Sequence, residues 1–169
     1  MNRIVRVLRL DASVFDEIRR DASAMNQAIY VVLVANLLAG IGAGLVRSTD
    51  FLGALILTLI LGVLGWLIWT TIAYGLSTAL WHSRIGFAEM ARVLSLAQAP
   101  LALGLFLFIP AIGVWLTLLG QALALWEGAV ALRTVMGLST ARALITALIG
   151  WVVVILLNVF LGGNLALLS

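Results

Sequence analysis

Apolar positions run along this chain in long unbroken blocks rather than in the short alternation that marks half-buried strands or surface helices. Five blocks stand out, at residues 28–46, 51–80, 93–109, 111–132 and 143–160. A hydrocarbon layer about 30 Å thick takes roughly 20 residues of a helix rising about 1.5 Å per residue. The pattern therefore predicts an all-α fold, a polytopic membrane bundle of about five transmembrane helices occupying residues 28–169. The second block is longer than a bilayer needs and must tilt or project. It softens through Thr70, Thr71, Tyr74, Ser77 and Thr78 toward Trp81 and His82, which marks an interface. Pro100 interrupts the third block and Pro110 closes it. Loss of a backbone donor at Pro100 predicts a kink there, and a re-entrant hairpin of the third and fourth blocks is the alternative.

Residues 1–27 follow a different rule. Ser13 and Asp16 have the spacing of a capping box, and Val14, Phe15, Ile18 and Met25 recur at helical intervals with Asp16, Arg19 and Arg20 on the other face. This predicts an amphipathic N-terminal helix, either lying in the cytoplasmic interface or packed on the end of the bundle.

Composition narrows the function classes. The chain is 64% hydrophobic and 10% charged, with a mean hydropathy of +1.20, which excludes a soluble monomer. Without cysteine there is neither a disulfide framework nor a thiolate metal site. All ten cationic side chains are arginine, dispersed with no stacking platform or dense basic stripe, so nucleic-acid binding is not expected. The first long apolar run starts only near Ala28, after charged residues, so no cleavable signal is expected. Arg3, Arg6, Arg9, Arg19 and Arg20 precede the first span, Arg84 and Arg92 lie between the second and third, and Arg133 and Arg142 lie between the fourth and fifth. Only Arg47 falls on the other side. By the excess of arginine in cytoplasmic loops, the N-terminus is expected inside and the C-terminus outside, in a bacterial inner (cytoplasmic) membrane.

Chemistry-bearing groups are few. One histidine, no H-E-x-x-H and no G-x-S-x-G leave no usual hydrolytic constellation, so no enzyme, cofactor or metal site is expected. Glu127 is the one ionisable residue deep in an apolar run. Intramembrane charge is costly, so Glu127 with Gln121, Gln98 and Asn158 forms a candidate intramembrane polar site for a proton or cation. The plain alternative is a Glu127 that is neutral or paired with a loop arginine and only holds the bundle together. His82 reads as an interfacial histidine, and the tryptophans read as packing or belt residues. Small residues recur four apart at Gly40 and Gly44, Ala124 and Gly128, and Ala143 and Ala147, and mark faces for close helix contact. Asn36, Gln98, Gln121 and Asn158 are expected to add interhelical hydrogen bonds.

Gly86-Phe87-Ala88-Glu89-Met90-Ala91-Arg92, running into Gln98-Ala99-Pro100, resembles the G-x-F-x-E-x-x-R and downstream proline of the Yip family of Ypt/Rab-interacting membrane proteins. Val14-Phe15-Asp16-Glu17, Asp21-Ala22-Ser23-Ala24 and Asn26-Gln27-Ala28 look like the opening of its short bacterial members. Gly137-Leu138-Ser139-Thr140-Ala141-Arg142-Ala143 is similar to the family's loop before its last helix. The resemblance implies five spans with the N-terminus inside, and a protein that acts through partners. Rab GTPase binding is not carried over, since no D-L-Y-G-P type motif occurs in this sequence.

The expected function is thus a non-enzymatic scaffold, assembly factor or accessory subunit that contacts the lipid bilayer and other integral membrane proteins, in its specific form a subunit of a larger respiratory or photosynthetic complex. The alternative is a small transporter or channel using Glu127.

Overall fold

The computed structural model describes residues 13–166, and the expectations for Arg3, Arg6 and Arg9 and for the last three residues lie outside them. The described chain is a helical bundle with no strand. A short helix α1 (Ser13–Arg20) leads through a 3-10 turn (Ala22–Ala24) into α2 (Met25–Val46). A second turn (Ser48–Asp50) leads into α3 (Phe51–Trp81), followed by α4 (Phe87–Leu96), a 3-10 helix (Ala99–Phe108), α5 (Gly113–Met136) and α6 (Thr140–Ala166). Four spans, Ala22–Val46, Ser48–Trp81, Gly113–Met136 and Thr140–Leu161, are each long and apolar enough to cross a membrane, and α4 with the 3-10 helix makes a fifth if that bent pair is one span. The protein is a polytopic membrane bundle.

Local chemistry explains where the helices begin and end. Asp50 caps α3 by accepting from the Gly53 N–H at 3.1 Å, and Ser139 accepts from the Arg142 N–H at 3.4 Å in the first turn of α6. Gly137 closes α5 at φ 63°, the left-handed geometry that a residue without Cβ adopts at no steric cost. His82 ends α3 in the same region at φ 51°, and the next N–H, of Ser83, returns to the Ser77 carbonyl at 3.0 Å.

Around Pro100 the chain breaks rather than kinks gently, a geometry shared by a broken span and by the re-entrant pair. α4 stops at Leu96, four residues before Pro100, where the proline ring would strike the helix carbonyl. The chain turns 42° across Ala97 and Gln98 and continues as a 3-10 helix of 10 residues, far longer than the usual one turn. Close packing holds it. A Cβ on Gly42 of α2 would overlap the Gly104 carbonyl, and one on Gly120 of α5 would sit 2.6 Å from the Pro100 carbonyl.

The N-terminal helix differs from its expected extent. It ends at Arg20, Asp21 caps the following turn by accepting from the Ser23 N–H at 3.0 Å, and Met25 belongs to α2. Its apolar face is covered by protein: Val14, Phe15 and Ile18 are at most 1% exposed and join a core with Met90, Leu94 and Leu132 of α4 and α5. Of the two placements open from sequence, packing on the bundle end is the one observed.

Candidate functional site

An arginine, Arg92, ties α1 to the rest of the bundle. Arg92 is not a loop residue as its charge suggested. It lies inside α4, 7% exposed, and its guanidinium donates to the Ile18 carbonyl from Nε at 3.3 Å and to the Arg19 carbonyl from Nη2 at 2.7 Å. Those carbonyls are at the C-terminus of α1, where helix acceptors lack intrahelical partners and a cation suits the dipole. The burial of Arg92 is thereby compensated. Around it, Gly86 donates its N–H to Glu89 Oε2 at 3.3 Å, which fixes the start of α4, and Phe87 meets Tyr74 of α3 edge-to-face at 5.7 Å. At the same end Trp81 of α3 donates to Thr146 Oγ1 of α6 at 3.0 Å, and Arg142 stacks 4.9 Å over its ring. The stretch of residues 86–92 thus fastens α4 to α1 and α3, while Arg142 of α6 fastens α6 to α3.

Deeper in the bundle lies a cavity of about 250 Å³ lined by residues of α2, α3, the 3-10 helix, α5 and α6. Gln98, Gln121 and Asn158 all line it, together with Asn36. Glu127 does not, although Ala124, one turn before it, does. Glu127 is 2% exposed, its Oε2 has no hydrogen-bond partner, and no arginine among the described residues pairs with it. The four-residue polar site expected from sequence therefore divides into a three-residue group in the cavity and a separate buried carboxyl.

The expected interhelical hydrogen bonds are also redirected. Asn36 Nδ2 donates to the Val32 carbonyl and Asn158 Nδ2 to the Val154 carbonyl, each at 2.8 Å within its own helix. Helix carbonyls four residues back are always within reach, so this local bond forms without any neighbour. Room for both side chains comes from α3. A Cβ on Gly62 would overlap the Asn36 carboxamide, and one on Gly65 would sit 2.9 Å from Val154 Cγ1 and 3.9 Å from Asn158 Nδ2. The spacing of Gly62 and Gly65 was the available sequence signal for this, and it falls outside the four-residue spacing used to find small faces.

Trp69 of α3 belongs both to the cavity wall and to the core, and donates from Nε1 to the Ala147 carbonyl at 3.0 Å. Gly128 and Gly150 receive its ring from either side: a Cβ on Gly128 would stand 2.6 Å from Cη2, and one on Gly150 would overlap Cδ1. Gly128 of α5 and Gly150 and Ala147 of α6 thus meet one indole, and Ala124, Ala143 and Ala147 are all buried. Gly40 and Gly44 instead face α3, at Leu55 and Phe51.

A second, larger hollow of about 530 Å³ is an apolar groove on the outer face between α2 and the 3-10 helix, bordered by Tyr30, Val34 and Ala102. Among the described residues no three His, Cys, Asp or Glu side chains gather as a metal site would need.

The family model described as Yip1 domain matches residues 5–161, nearly the whole chain. No curated protein and no solved structure matches it. With the motif residues Gly86, Phe87, Glu89, Arg92 and Pro100 all built into the junction of α1, α3, α4 and the 3-10 helix, and the match running through the last span, the chain belongs to the Yip1 domain family.

Proposed function

We propose that this protein is a non-enzymatic membrane scaffold, assembly factor or accessory subunit, seated in a bacterial inner membrane with the arginine-bearing end in the cytoplasm. The supporting observation is the Arg92 clasp on α1. A buried guanidinium spent on two backbone carbonyls fixes α1 beside helix ends carrying Arg19, Arg20 and Arg133, with Arg84 in the loop before α4. Pre-organised faces bind at lower ordering cost. Other integral membrane proteins are the partners in this reading, including those of a respiratory or photosynthetic complex. The test is photo-crosslinking in native membranes from positions 84 and 133, with position 47 at the opposite end as control. Adducts to one membrane protein from the first two positions support the reading, and equal labelling from all three counts against it.

A second reading is a small transporter or channel using Glu127. Its support is the partnerless Oε2 of a carboxyl buried within a span, the kind of group that marks ion or proton pathways. Reconstituted vesicles test it: Glu127→Gln abolishes a proton- or cation-dependent flux on this reading, and absence of flux in the unmodified protein removes it.

A further inference from the structure

The bundle cavity has a donor and acceptor pattern that neither reading above uses. Thr58 Oγ1 donates its one hydrogen to the Ala54 carbonyl at 2.8 Å, and Thr117 Oγ1 donates to the Gly113 carbonyl at 2.9 Å. Both hydroxyls therefore offer the cavity only lone pairs. Asn36 and Asn158 likewise spend an N–H on their own helices and keep their oxygens. The Trp66 and Trp69 N–H groups are also committed, to the Ala91 and Ala147 carbonyls at 3.2 and 3.0 Å. Donors remain on the Gln98 and Gln121 amides, on the second N–H of Asn36 and of Asn158, and on Trp151 Nε1, which is buried without a partner. Gln98 and Asn36 are only 5% and 4% exposed, and Thr58, Thr117, Gln121 and Asn158 are half-buried.

No charged side chain lines this space. A cation or anion there would lose its hydration with no counter-charge, a cost of several kcal/mol or more, in order of magnitude. An uncharged wall of both donors and acceptors instead complements hydroxyl groups, which both donate and accept. The cavity of about 250 Å³ is roughly eight times the volume of a water in the liquid, room for a molecule of about half a dozen heavy atoms. We propose that this cavity binds an uncharged polyhydroxyl group of glycerol size, through the oxygens of Asn36, Thr58, Thr117 and Asn158 and the amides of Gln98 and Gln121. Two sources present that chemistry, a free polyol and the glycerol moiety of a neutral lipid.

Saturation-transfer NMR on the full chain in lipid nanodiscs, with glycerol as probe and empty nanodiscs as baseline, tests this. Glycerol gives a saturable signal on the protein. The double variant Thr58→Val/Thr117→Val, which keeps side-chain shape and removes two acceptors, weakens binding by about tenfold, as loss of two modest hydrogen bonds implies. Thr58→Ser/Thr117→Ser retains it, which separates loss of oxygen from loss of fold. Displacement by dioleoylglycerol assigns the site to a lipid glycerol moiety, and indifference to it assigns a free polyol. A signal no greater than that of empty nanodiscs overturns the proposal, as does equal binding by the valine variant or displacement by rubidium or ammonium.

Discussion

Arg92 and Ile18 stand 74 positions apart in sequence, yet the guanidinium of one closes on the carbonyl of the other at 3.3 Å and on the next carbonyl, Arg19, at 2.7 Å. The same α1 end is held from a second side, where Arg19 Nη1 reaches the Val135 carbonyl of α5 at 3.5 Å, a long and weak contact beside the first two. Surface pairs of Asp16 with Arg19 and Arg20, at 3.1 and 2.8 Å, add little because they are solvent-screened.

The clasp predicts a graded mutant series. Arg92→Met removes both bonds and leaves α1 carbonyls unsatisfied in a buried setting, costing about 2–4 kcal/mol. Arg92→Lys keeps the charge but lacks the planar fork, and falls between the two. Hydrogen exchange reads this as faster exchange across residues 13–20 in the order Arg92, Lys, Met, with the middle of α5 unchanged.

Glycine contacts predict a contrast within one residue type. Gly42→Ala drives a methyl into the Gly104 carbonyl, and Gly120→Ala into the Pro100 carbonyl. Neither backbone can yield without moving the 3-10 helix, so each costs about 1–3 kcal/mol or more. Gly75 has nothing within 4 Å of its added Cβ. Gly75→Ala therefore leaves stability unchanged or raises it by up to about 1 kcal/mol. Thermal unfolding in detergent ranks the three.

The Trp81 and Arg142 pair predicts a measurable coupling. A double-mutant cycle with Trp81→Leu and Arg142→Gln gives an interaction of about 0.5–1 kcal/mol at this partly exposed site. Additivity of the two single changes within error would show that the stacked geometry contributes nothing.

Glu127→Gln discriminates the two functional readings. The amide is isosteric, and the carboxyl it replaces has an unpartnered oxygen, so stability changes by less than about 1 kcal/mol. On the scaffold reading the variant also recovers the same partners as the unmodified protein. Loss of partners with unchanged stability would assign Glu127 to the interface.

Much of the fold was legible because a bilayer leaves backbone no choice but helix, so long apolar runs translate directly into α2, α3, α5 and α6. Legibility failed where a charge has a protein partner. Arg92 suggests the edge of a loop and puts the expected third span at residue 93, whereas α4 begins at Phe87, capped by Gly86 and Glu89, and carries Arg92 buried because α1 satisfies its guanidinium. No local pattern encodes those two carbonyls. The polar cavity was half legible. Gln98, Gln121 and Asn158 stood out against apolar neighbours, but grouping Glu127 with them ignored helix rotation. Six residues beyond Gln121 is about 240° around the helix and about 9 Å along it, a different face at a different depth. Asn36 joins the group from α2 through a glycine on α3, a juxtaposition that only the packed bundle displays.

The scaffold reading is tested most directly by the mass of the particle that carries this chain. Isolated at native expression in mild detergent and weighed by native mass spectrometry, the 18.0 kDa chain is expected in a larger particle containing a second membrane protein in fixed ratio, and Arg92→Met is expected to deplete that partner. A lone monomer of 18.0 kDa from the unmodified protein would contradict it.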